Sequence, residues 1–217
     1  IELLNCRSIT RITDNIIMLK SKNPTTAIKI EKLGGTTVSK NTIIIKTKNY
    51  NTPIIELINT TINNFIRDNY IESEDVCGND AVKKIGTGTA TISNNKPTNG
   101  NYRTQMNITT LPSELKVSKT YPITINVTSM LDKPVNGTVI LNIGDKETNL
   151  TLTDGIATYN YTPTKDGETT IKITYNDPTG KYENNTITQS ITVNKINAIL
   201  KVDSVKGIPN TRINIPI

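Results

Sequence analysis

A chain of 217 residues with 35% hydrophobic content has room for two ordinary domains, but it contains no histidine, no tryptophan and a single phenylalanine. The missing histidine removes the commonest general base and the commonest metal ligand, which weakens most enzyme readings. The net charge of +6 is spread along the chain, with no basic stripe flanked by aromatic platforms, so nucleic acid is excluded as a partner and only a weak, salt-screened attraction to acidic polymers remains.

Ile, Val and Thr dominate and few helix-favouring runs occur, so an all-β chain is predicted. In chain order the first feature is a repeat. Ile12-Thr13-Asp14-Asn15-Ile16-Ile17, Val38-Ser39-Lys40-Asn41-Thr42-Ile43, Ile66-Arg67-Asp68-Asn69-Tyr70-Ile71 and the decayed Ile92-Ser93-Asn94-Asn95 align, with asparagines 26, 28 and 26 residues apart. Each of the first three is followed 13 residues later by Ile28, Ile54 or Val82. A unit of this length cannot bury its apolar side chains alone but can do so against a copy of itself, so the period signals a solenoid. A leucine-rich repeat has a similar period, but its leucine spacing is missing; coils of a parallel β-helix are the better reading.

Stacked coils place equivalent residues about 4.8 Å apart, close enough for asparagines at one corner to bond as a ladder. Asn15, Asn41 and Asn69, continued by Asn95, are read as that structural ladder. Gly34-Gly35 and Gly86-Thr87-Gly88 are read as matching turns. Cys6 and Cys77 fall on different sides of the coil and several coils apart, beyond the roughly 7 Å Cα reach of a disulfide; both are expected to be buried or half-buried thiols. Three and a half coils, over residues 1–97, account for the repeat.

Lys96-Pro97-Thr98-Asn99-Gly100 ends it, because proline lacks a ladder donor and Asn-Gly favours a turn. Seven alternating runs follow: Gln105 to Leu111, Tyr121 to Ser129, Thr138 to Ile143, Glu147 to Thr153, Ile156 to Tyr161, Thr169 to Tyr175 and Thr186 to Val193. Their count and spacing predict an Ig-like β-sandwich over residues 98–195. Residues 196–217, with runs at Ala198 to Val205 and Arg212 to Ile215, read as the start of a second such domain that the chain does not complete. Both ends lie inside β patterns, so the chain is expected to be a piece of a longer polypeptide. No run approaches the 18 apolar residues of a membrane span.

The Asn-x-Ile coils, followed by Leu131-Asp132-Lys133-Pro134-Val135-Asn136-Gly137-Thr138-Val139, Asp154-Gly155-Ile156-Ala157-Thr158-Tyr159-Asn160-Tyr161-Thr162-Pro163 and Asp166-Gly167-Glu168-Thr169-Thr170-Ile171, resemble the adhesin-like surface proteins of methanogenic archaea. The resemblance covers nearly the whole chain. It implies a right-handed parallel β-helix displayed on Ig-like repeats that act as a stalk, an extracellular place at the cell surface, and other cells, cell-wall polymer or neighbouring surface proteins as partners. It implies no cofactor and carries over no functional residue.

Several clusters invite chemical readings, each with a blander rival. Asp14 and Asp68 precede ladder asparagines and suggest the paired carboxylates of β-helix polysaccharide lyases and glycoside hydrolases. The intervening coil holds Lys40, so mutual neutralisation on a solvated edge is preferred. Glu72, Glu74, Asp75 and Asp80 form the densest acidic patch, the candidate calcium loop; it lacks regular calcium-loop spacing, and a solvated loop is preferred. Glycosylation sequons occur at Asn59, Asn107, Asn126, Asn136, Asn149, Asn160 and Asn184. Gln189 and Asn126 are considered for an internal crosslink. No catalytic residue is assigned. A non-enzymatic surface segment is expected, the alternative being the C-terminal part of a secreted β-helix lyase or hydrolase.

Overall fold

The computed structural model describes residues 1–4, 10–32, 35–49, 52–61 and 63–197. Within them, strands β1 (Glu2–Leu4) to β11 (Ala90–Ser93) wind as a three-sided parallel solenoid. One side stacks β1, β4 (Ile28–Glu31), β7 (Ile55–Ile58) and β10 (Val82–Ile85). A second stacks β2 (Arg11–Thr13), β5 (Thr37–Ser39), β8 (Asn64–Arg67) and β11. The third holds β3 (Ile16–Leu19), β6 (Thr42–Ile45) and β9 (Tyr70–Glu72). These strands are only three or four residues long because each coil turns sharply between them. The residue before each ladder asparagine is left-handed, with φ of 59°, 57°, 59° and 53° at Asp14, Lys40, Asp68 and Asn94. Asp and Asn tolerate that conformation best, which accounts for their recurrence there.

Alternate side chains point into the coil. Ile28, Ile30, Val38, Ile43, Ile45, Ile55, Leu57, Ile66 and Ile71 form one dry stack, each fully buried. Branched aliphatics suit it because every inward position meets a similar one on the next rung. The register corrects one expectation: Ile28 pairs with Ile55, not Ile54, and Ile55 with Val82. Ile54 instead lies at the turn, where its carbonyl accepts from both Ala27 and Ile28 N–H at 2.9 and 3.1 Å. Gly35 and Gly86-Thr87-Gly88 fall on one corner, in the turns after β4 and β10, where Gly86 stands in register with Lys32 and Asn59 with φ of 75°, 53° and 47°; Gly34 lies outside the described residues.

The second unit packs a three-stranded sheet, β12 (Thr104–Ile108), β14 (Tyr121–Ser129) and β17 (Ile156–Tyr161), on a five-stranded one. The latter runs β13 (Glu114–Lys116), β19 (Asn185–Asn194), β18 (Gly167–Asn176), β15 (Gly137–Ile143) and β16 (Lys146–Leu152). This is an Ig-type sandwich whose core is Ile123, Ile125, Val127, Val139, Leu141, Ile171, Ile173 and their neighbours. Strand β13 adds an eighth to the seven expected. It is three residues long, pairs parallel with the end of β19 and buries only Leu115, too short for an alternation to register. Gly137 has φ 149°, and a Cβ there would come within 2.7 Å of the buried Tyr175 ring, so glycine is required at that strand start.

The sandwich meets the solenoid on the outer face of the β3–β6–β9 sheet. Ile44 points away from the coil interior, between inward Ile43 and Ile45, yet it is fully buried. Beside it Lys46 pairs with Asp132 at 2.7 Å and Glu74 with Lys133 at 3.6 Å. Cys6 and the runs at Ala198 to Val205 and Arg212 to Ile215 lie outside the described residues. No described helix is long and apolar enough to cross a membrane.

Candidate functional site

The amide column runs through the coils with one polarity. Asn15 donates its backbone N–H and side-chain amide to Asn41 Oδ1 at 3.0 and 2.9 Å, and Asn41 does the same to Asn69. Asn69 donates to Asn95 at 3.2 and 2.8 Å. Each buried amide also satisfies a strand carbonyl, Ile12, Val38 or Ile66. The column ends on Asn79, which sequence reasoning missed: the short 3-10 helix Gly78–Ala81 swings its Oδ1 under Asn95, at 2.8 Å from the amide nitrogen. Gly78 permits this, since a Cβ there would lie 2.4 Å from the Pro97 carbonyl. A second corner uses the same device: Asn49 Oδ1 accepts from Thr25 N–H at 2.7 Å and Asp75 Oδ1 from Asn49 N–H at 2.9 Å.

The junction of the two units holds the densest chemistry. A cleft of about 240 Å³ opens there, walled by Glu72, Cys77, Tyr102, Lys133, Lys181 and Tyr182, among others. Tyr70 donates to Glu72 Oε2 at 2.5 Å and accepts from the Arg103 N–H at 2.9 Å, while the Arg103 guanidinium lies 4.5 Å from the Tyr70 ring centre and donates to Thr42 at 3.1 Å. Glu72 is 2% exposed. Burial pushes its carboxyl above the ordinary range, opposed by the Tyr70 hydrogen bond and by Lys133 and Lys181. Burial also raises the Cys77 thiol, whose Sγ lies 3.8 Å from the Tyr102 hydroxyl, and Tyr102 is itself pushed up to about 12 by burial. A thiol in this state is protonated at neutral pH and a poor nucleophile. The arrangement clamps two units together. The signal in the sequence is the replacement of Ile16 and Thr42 by Tyr70 at one register position.

The acidic loop does not converge. Glu72 is tied to Tyr70, Glu74 to Lys133, Asp75 to Asn49 and Ser73, and exposed Asp80 lies on the 3-10 helix. Among the described residues no three or more ligating side chains come together. Asp14 and Lys40 form no ion pair; Asp68 instead meets Arg67 at 3.9 Å and the Asn94 amide at 3.4 Å. Their shared feature is the left-handed turn. Of the sequons, Asn59, Asn107, Asn136, Asn149, Asn160 and Asn184 are exposed and Asn126 is half-buried. Gln189 is exposed and Asn126 alternates outward between buried Ile125 and Val127, so neither enters the core. The expectation of evenly spread charge fails at one place. Lys20, Lys22, Lys46 and Lys48 gather on one side of the first two coils, because stacking superposes residues distant in sequence.

No protein-family model matches the chain, and no curated protein matches it. Among solved structures, a CARDB domain from Pyrococcus furiosus is similar with TM-score 0.36 and 22% identity, over 43% of this chain and 96% of that domain. The fibronectin(III)-like modules of CbhA from Clostridium thermocellum give 0.34 and 12%, over 43% of this chain and all of theirs. Chitinase ChiW from Paenibacillus, a cell-surface-expressed multi-modular enzyme, gives 0.27 and 9%, over 88% of this chain and 24% of its own. The resemblance to methanogen adhesin-like proteins rests on the motifs quoted above. What the strand registers establish is coarser: a β-solenoid joined to an Ig-type sandwich.

Proposed function

We propose that the chain is a non-enzymatic, extracellular segment of a cell surface, in which a stiff β-solenoid is held on an Ig-type sandwich and presented to other cells, cell-wall polymer or neighbouring surface proteins. The supporting observation is where the polar side chains go. The asparagines complete the ladder, Asp75 accepts a backbone N–H, Glu72 accepts from Tyr70 along β9, and Tyr70 accepts the Arg103 N–H across the junction. Groups that a catalytic reading would recruit are engaged in holding coils and units in register.

The test sets a glycan array beside a reducing-sugar release assay, both with the purified chain. Binding to surface polymers without release of reducing ends is the expected result. Release that co-purifies with the chain would overturn the proposal in favour of a β-helix lyase or hydrolase.

A further inference from the structure

We infer that the lysine ledge on the first two coils is a binding site for an acidic, carboxylate-bearing polysaccharide. Lys20-Ser21-Lys22 leaves the end of β3 and Lys46-Thr47-Lys48 the end of β6, and the Lys46 N–H donates to the Leu19 carbonyl at 2.8 Å, so the parallel register continues to Lys20 and Lys46. Lys20 therefore lies over Lys46, about one rung, or 4.8 Å, away, and Lys22 and Lys48 follow them along the same groove. On the third coil Glu74, held by Lys133 at 3.6 Å, lines the end of the same groove. The open groove there is about 650 Å³.

Like charges stacked directly across parallel strands repel and are normally avoided. Here four lysines share one close carboxylate, Asp132, which holds Lys46 at 2.7 Å. Among the described residues no acid lies within ion-pair distance of Lys20, Lys22 or Lys48, all of which are exposed. Ser21 and Thr47 stand between the lysines of each rung, and the Thr47 hydroxyl is buried without a hydrogen-bond partner. Cations repeated along the coil axis in an open groove match a polymer that carries one carboxylate per unit. Nucleic acid fits less well, because among the described residues the ledge offers neither an aromatic stacking platform nor an arginine.

The inference deepens the surface reading by naming a ligand class and rests on it. The test titrates the whole chain with oligogalacturonates of defined length by calorimetry and by amide NMR, with neutral cello-oligosaccharides and single-stranded DNA of equal charge as controls. Expected are shifts centred on residues 20–22 and 46–48, affinity that grows with length and falls with salt, and binding about tenfold weaker in K22E/K48E. K83E/K84E, which alters exposed lysines elsewhere, should bind as the parent does. Equal loss in both variants, shifts elsewhere, or DNA bound as tightly would overturn the site. NMR mapping on the unaltered chain decides the matter even if a variant folds poorly. Cleavage of the oligomer during titration would overturn the non-enzymatic reading while leaving the ledge intact, so the two failures are distinguishable.

Discussion

On β9, Tyr70 and Glu72 face outward at the positions that Thr42 and Ile44 hold one coil earlier. A carboxyl has taken the place of an isoleucine under the sandwich, and burial holds its ionisation above the ordinary value of about 4.3. A carboxyl raised on folding adds its stability below the unfolded value and loses it as pH climbs through the folded one. Glu72→Gln keeps an acceptor for Tyr70 and removes the buried charge. Its melting temperature should exceed that of the parent at pH 8, and the gap should close by about pH 4. A variant less stable than the parent at pH 8 but matched at pH 4 would show that the ionised carboxylate stabilises the junction.

Between elements, the amide column sets the rung register. Asn69 accepts from Asn41 twice, donates to Val38 and Arg67 carbonyls at 3.0 Å, and donates to Asn95. Asn69→Ala strands several buried partners and should cost about 3 kcal/mol or more, whereas Asn15→Ala, at an exposed rung, should cost less than about 1 kcal/mol. Urea unfolding of both variants checks the contrast, and equal costs would deny the column its role. This ladder was legible in the sequence because a solenoid repeats a corner at fixed spacing, so Asn15, Asn41 and Asn69 announce one another. Asn79 was not, since it reaches the column from a helix with no counterpart in earlier coils. Nor was the Ile54 offset, because a one-residue change in a turn leaves the hydrophobic pattern intact while moving the pairing. The junction was invisible for a different reason. Tyr70, Arg103 and Glu183 converge only after two units dock, and no periodicity within either unit encodes that docking.

At the scale of the whole molecule, the sandwich lies along the solenoid flank, and Arg103 is its principal tie. It stacks on Tyr70, donates to Thr42 and comes within 4.0 Å of Glu183. Arg103→Ala removes a cation–π contact worth about 0.5–2 kcal/mol together with the Thr42 hydrogen bond. Expected are a larger radius of gyration by small-angle scattering and faster proteolysis between residues 97 and 103, with each unit's own melting little changed. Unaltered scattering and cleavage would show that Ile44 and the lysine–carboxylate pairs suffice.

The asymmetry of the column bears on how one coil can follow another. Each amide hands one hydrogen to the next asparagine toward Asn79, so among the described residues Asn15 Oδ1 accepts from no neighbour while the opposite end of the column is closed by Asn79. Any further coil stacked on the Asn15 side would prolong the column only by presenting an amide hydrogen to that oxygen. The corner thus fixes a direction of growth as well as a register, and a rung that offers an acceptor there breaks the sequence of bonds.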